Sequence, residues 1–175
     1  MLKWFRSKDS AWFWLIVRVY VGWQWLEAGW HKVAGPEPFD ASGFLKGAIQ
    51  KATGDHPAVQ PWYAAFLKHV ALPNVKVFNF LVAYGEVLVG LALILGFASM
   101  FAAFMGAFMN LNFMLAGTTS TNPVLYTLEV LMLAAGSTAV GYWGVDRWFL
   151  PVWRQWVDSL LRRYGRSQPA TAGTD

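Results

Sequence analysis

Four stretches of the chain, at residues 11–33, 75–97, 98–116 and 123–143, are apolar over about the length of a membrane-crossing helix. The bilayer core needs roughly 20 such residues. This feature predicts an all-α integral membrane protein, a four-helix bundle forming a single membrane domain over residues 1–166. Composition agrees. The chain is 56% hydrophobic and only 14% charged, whereas a soluble domain carries about a quarter charged residues. Its 11 Trp and 13 Phe exceed what one small soluble core needs.

The connections are as informative as the spans. The second and third spans meet around Gly96 to Ser99 with almost no loop, which predicts an antiparallel hairpin. The run Gly117-Thr118-Thr119-Ser120-Thr121-Asn122-Pro123 is a turn, with Pro123 suited to a first helical turn. Residues 34–74 form a long polar connection rich in Pro and Gly, predicted to be an outer cap. Within it, Pro61-Trp62-Tyr63 opens an apolar run ending near Val70, read as an interfacial helix. Residues 148–164 carry Phe149, Val152, Trp153, Trp156, Leu160 and Tyr164 at helical spacing, with Arg154, Asp158, Arg162 and Arg163 elsewhere. This pattern predicts a basic amphipathic helix in the membrane interface. Residues 167–175 read as a disordered tail.

Charge placement predicts the orientation. Lys3, Arg6 and Lys8 precede the first span, and Arg147, Arg154, Arg162, Arg163 and Arg166 follow the fourth. Lys32, Lys46, Lys51, Lys68 and Lys76 are spread over the long connection on the opposite side. Both termini are therefore expected in the cytoplasm, in the cell membrane. The basic start reads as the flank of a retained first span, since the apolar run outlasts a signal sequence and lacks a small-residue cleavage site. The net charge of +4 resides largely at the two ends, which points to lipid contact and orientation before nucleic acid.

Ionisable groups inside a bilayer are costly and are functional candidates by default. The spans carry Arg18, Glu27, His31, Lys32, Glu86 and Glu129, with Asn79, Asn110 and Asn112 as neutral polar groups. At the helical rise, Glu27, Glu86, Asn110, Asn112 and Glu129 all fall within roughly 5–17 Å of the outer interface. Arg18, Gly22, Trp25, Gly29 and Lys32 form one helical stripe. Its glycines would let a neighbouring helix or a flat ligand approach closely. Asn79, Glu86 and Gly90 share a face, as do Ala103, Gly106, Asn110 and Gly117, while Glu129 aligns with Gly136.

This arrangement suggests chemistry. Glu27, Glu86 and Glu129 are candidate catalytic proton acceptors. Arg18, Trp25, His31, Lys32, Asn110, Asn112 and Asn122 are candidate substrate-binding residues. His31, Lys32, Lys68, His69 and Lys76 would attract a small anion near the outer surface. A quinone could slot between Trp25 and the glycine faces. The chain has no Cys, so it can hold no Fe–S cluster or thiol relay of its own, and His31 has no clear mate for bis-His haem. No metal site is expected. The plainer reading is that Arg18 pairs with a carboxylate to lock the bundle. The buried Asn and Glu would then act as interhelical glue, worth about 1 kcal/mol or less each.

Several motifs, in order, resemble the DoxX/DoxD membrane family. They are Arg18-x-x-x-Gly22-x-x-Trp25-x-x-x-Gly29-x-x-Lys32, Gly85-Glu86-Val87-Leu88-Val89-Gly90, Asn110-Leu111-Asn112-Phe113, Ser120-Thr121-Asn122-Pro123 and Gly144-Val145-Asp146-Arg147. The resemblance covers about residues 10–150 and implies a four-helix membrane fold. The Asn110 and Asn122 motifs look like the DoxD branch, which is similar to the large subunit of thiosulfate:quinone oxidoreductase. That implies a quinone-linked oxidoreductase subunit oxidising thiosulfate or a related small anion at an outer-leaflet site, with a partner subunit or a second copy of the chain. Other members are linked to thiol-oxidative stress complexes, which implies the alternative of a non-catalytic scaffold or small-molecule-binding subunit.

Overall fold

The computed structural model describes residues 2–166, so the tail predicted at residues 167–175 lies outside the described residues. Among the described residues the chain is all-helical, with no strand. In chain order the α-helices are α1 (Leu2–Phe5), α2 (Ala11–Val33), α3 (Ser42–Gln50), α4 (Pro61–Phe66), α5 (Val75–Leu95), α6 (Ser99–Leu115), α7 (Asn122–Ala135), α8 (Ser137–Val140) and α9 (Asp146–Arg166). A 3-10 turn at Lys8–Ser10 leads into α2, and a π-helical turn at Leu67–Ala71 continues α4.

Helix α5 is the one described helix both long and apolar enough to cross a membrane, while α6 and α7 are apolar but shorter. Helix α2 has 23 residues, but its apolar character is interrupted by Arg18, Glu27 and Lys32. The fourth apolar stretch is not one helix to residue 143. It stops at Ala135, because Gly136 adopts φ 84°, ψ 168°, and the short α8 follows. The other boundaries shift by a residue or two, and α9 begins at Asp146 rather than residue 148.

The long helices pack as two intimate pairs, α2 on α5 and α6 on α7, with lighter contact between α5 and α6. Glycines set the first pair. A Cβ at Gly90 would lie 2.7 Å from the Leu26 Cα, and one at Gly22 would lie 3.0 Å from the Gly90 carbonyl. At Gly29 a Cβ would meet Val87 and Glu86. Small residues of this kind let two backbones approach closely. The shared core contains Trp14, Val21, Trp25, Val89, Leu93, Ala103, Met132 and Val140.

The outer face of α2, α5 and α6 is apolar too. Trp12, Ile16, Trp23, Phe80, Leu88, Leu95, Phe101 and Phe104 are all more than half exposed. A continuous apolar exterior of this extent marks a surface that meets something other than water.

The connection between α2 and α5 is a packed cap, with a helix, α3, that its Gly-rich sequence conceals. Leu45, Ala48, Val59, Tyr63, Leu67 and Ala71 form a second small core closed by Ala116. Among the bonds that fasten it to the helices below, Ala41 N donates to Asn79 Oδ1 of α5 at 2.9 Å, and two cap side chains reach the α6 end. The Tyr63 hydroxyl donates to Asn112 Oδ1 at 3.0 Å, and Lys51 Nζ donates to the Gly117 carbonyl at 3.0 Å. Burial pushes the Tyr63 phenol up to about 12, so it stays a donor.

Candidate functional site

Glu129, on α7, is fully buried with both oxygens occupied. Trp25 Nε1 of α2 donates to Oε1 at 2.5 Å, and Asn110 Nδ2 of α6 donates to Oε2 at 2.8 Å. Gly106 makes the space, since a Cβ there would collide with the Glu129 carboxylate and sit 3.0 Å from Trp25 Nε1. Three helices thus meet at one carboxylate through side chains that belong to separate stripes in the sequence. The remaining amide atom, Asn110 Oδ1, is buried and has no partner.

Glu86, on α5, is buried and pairs with Lys32, whose Nζ lies 2.6 Å from Oε2. Lys32 also donates to the Ala28 carbonyl at 3.2 Å and lies 5.6 Å from the Phe39 ring centroid. This is the one ion pair among the described residues. Lys32 retains partial exposure, 25% of its side chain against 3% for Glu86, so the pair sits at the edge of the interior.

The structure separates the other candidates. Arg18 is buried at the opposite end of α2, where Nη1 donates to the Val140 carbonyl at 2.9 Å and Nη2 to that of Trp143 at 2.7 Å. Gly96 and Gly144 close over the guanidinium, which binds together the α5–α6 hairpin and the α8–α9 connection. Glu27 and His31 are exposed, and both line the cavity described below. Asn112 donates to the Phe108 carbonyl and accepts from Tyr63. Asn122 donates to the Thr118 carbonyl and holds the α6–α7 turn. Lys68, His69 and Lys76 are outside the cavity described below. The slot expected between Trp25 and the glycine faces does not form, because α5 itself fills the Gly22 and Gly29 faces.

A different opening exists. A cavity of about 1490 Å³ runs along the gap between α5 and α6 and up beneath the cap. Leu88, Val89 and Ala92 line it from α5, and Met105, Phe108 and Met109 from α6. Its polar lining includes Trp25, Glu27, His31, Asn110, Asn112, Asn122 and the Lys32–Glu86 pair, with Glu129 behind Trp25 and Asn110. The gap exists because α5 and α6, joined tightly at Gly96, each pack more closely on another helix. Among the described residues no three of His, Asp and Glu gather to hold a metal ion.

Sequence reasoning misses two residues that hold this frame. The sequence marks Tyr63 only as an interfacial aromatic. It marks Asp146 only as part of a motif, yet Oδ1 of Asp146 accepts from Ala98 N at 2.7 Å and Oδ2 from Ser99 N at 2.8 Å, capping α6.

An all-helical chain with an apolar exterior and two buried, bonded carboxylates beside a mostly apolar cavity has the features of a small membrane-associated helical protein. The DoxX family model matches residues 13–119, and the chain belongs to the DoxX family. That family is membrane-associated, which agrees with a location at the bilayer. No curated protein and no solved structure matches the chain.

Proposed function

We propose that this protein is a multi-pass subunit of a membrane redox system, with α2, α5, α6 and α7 crossing the bilayer and both termini in the cytoplasm. Its ligand is a lipophilic quinone-type ring that comes from the lipid through the gap between α5 and α6. The observation that carries this reading is the cavity of about 1490 Å³, mostly apolar along the helices, with Trp25, Asn110, Asn112 and Lys32–Glu86 among its polar residues. Ligand sites are commonly apolar with a few convergent polar groups of this kind. The resemblance to the DoxD branch supplies the redox partner class, thiosulfate or a related small anion. The cations lining the cavity are His31 and Lys32, and Lys32 is engaged by Glu86. A dianion would have to displace Glu86, whereas a neutral ring would not, so the geometry supports the quinone half of the reading more than the anion half.

A second reading is a binder without turnover. It is favoured by one observation: this chain's own donors already hold the two carboxylates buried beside the cavity, Glu86 and Glu129. Two measurements on the purified protein in lipid nanodiscs separate the possibilities. Saturable binding of duroquinone, with quinone reduction when thiosulfate is added, supports the oxidoreductase. Saturable binding without turnover supports the binder. Absence of saturable binding by folded protein sinks both.

A further inference from the structure

From the hydrogen-bond direction at Asn110 we infer that the cavity selects the reduced, hydroxyl-bearing form of its ring ligand, and that Glu129 sets this selectivity by orienting the Asn110 amide. The inference rests on the quinone-type reading above.

A side-chain amide carries a donor and an acceptor on opposite sides of one carbon. Asn110 Nδ2 is committed to Glu129 Oε2 at 2.8 Å. Opposite an ionised Glu129, the reverse orientation would set the amide oxygen against a carboxylate oxygen, two acceptors with no proton between them. Trp25 reinforces the arrangement. Its Nε1–H, a donor only, takes Glu129 Oε1, which leaves Oε2 for Asn110. The carboxylate therefore turns Oδ1 away from itself. Asn110 is wholly buried and forms part of the cavity wall, and Oδ1 is without a partner.

A buried acceptor left unpaired is costly, and a ligand that brings a donor removes the cost. A hydroquinone or phenol hydroxyl is such a donor. A quinone carbonyl is an acceptor and cannot satisfy Oδ1. Three donors of the cavity wall are already bonded: Trp25 Nε1 faces Glu129, Lys32 Nζ faces Glu86, and the Tyr63 hydroxyl faces Asn112. Glu129 is thus a positioning residue. It stands behind Trp25 and Asn110 and acts on the ligand through the amide.

The test is a pair of anaerobic titrations, duroquinone and durohydroquinone, on the full chain in nanodiscs. The wild-type protein is expected to bind the hydroquinone about tenfold more tightly, the worth of roughly one buried hydrogen bond. Glu129→Gln should reverse the order. The substituted amide would accept from Trp25 through its oxygen and donate through its nitrogen to Asn110 Oδ1. That turns Asn110 Nδ2, a donor, away to meet a quinone carbonyl. Asn110→Leu should bind both forms within about twofold of each other, since no amide is left to choose between them. Equal wild-type affinities, or an unchanged order in folded Glu129→Gln, would overturn the inference while leaving the ligand class standing. Absence of binding of either form overturns the ligand reading itself. The wild-type ratio alone decides the matter if a variant does not fold.

Discussion

Gly90 and Gly47 are both glycines inside helices, yet their surroundings demand opposite outcomes. A Cβ at Gly90 meets the Leu26 backbone, which cannot yield without separating α2 from α5. Gly90→Ala is therefore expected to destabilise by about 1–3 kcal/mol, the usual cost of overpacking. Gly47 has nothing within 4 Å of such a Cβ. Gly47→Ala should stabilise by about 0.5–1 kcal/mol, since only the entropic penalty of glycine is removed. Thermal unfolding in detergent measures both. Asp40 makes a second prediction at this scale. It accepts from the Ser42 N–H at 3.0 Å and the Ser42 hydroxyl at 2.8 Å, and these bonds, led by the backbone one, hold its carboxyl below the usual range. The folded form therefore favours the carboxylate. Its contribution is fully present above the unfolded value of about 3.9 and fades as pH falls through the lower folded value. Asp40→Asn should flatten the acid-side loss of cap stability, read as protease resistance of the α2–α5 connection as pH is lowered.

Helix α6 begins without a cap of its own. Ala98 occupies the N-cap position with φ 48°, and no side chain from the same helix reaches the first amides. Asp146, the first residue of α9, supplies both acceptors, and its own amide donates to the Gly96 carbonyl at 2.8 Å. The hairpin at residues 96–99 is thus completed by a residue 47 positions further along the chain than Ser99. Asp146→Ala should cost about 0.5–2 kcal/mol, the range for loss of a cap. Asp158→Ala, on the exposed side of α9, should stay within about 0.5 kcal/mol of wild type. Denaturation midpoints in detergent compare them. The hairpin is legible in the sequence because Gly96 follows one apolar run and another begins at once. Its cap is not, because a side chain's partner across the fold leaves no periodic trace. Helix α3 is hidden for a related reason. It is short and glycine-bearing, and its burial against Tyr63 and Leu67, rather than propensity, sustains it.

Across the whole molecule, the pairing of α2 with α5 and of α6 with α7 leaves the gap that becomes the cavity. Filling it separates ligand binding from stability. Ala92 lines the cavity and is only partly buried. Ala92→Phe is expected to weaken duroquinone binding at least about tenfold, roughly 1.4 kcal/mol, with an unfolding temperature close to wild type. Unchanged affinity would place the ligand elsewhere.

The amino-acid sequence alone determined the helical character, the tight hairpin, the glycine stripe for close approach, and the set of candidate polar residues. These follow from hydropathy, period and residue size, which act locally along the chain. The tertiary structure alone decided how those polar residues divide. Arg18, Trp25 and Lys32 share one stripe, but Arg18 clamps the α8–α9 connection, Trp25 binds Glu129 and Lys32 binds Glu86. The glycine stripe meets a helix rather than a ligand, and the opening lies between α5 and α6 instead. A helix face has many possible neighbours, and only the packing of several helices against one another selects which donor meets which acceptor.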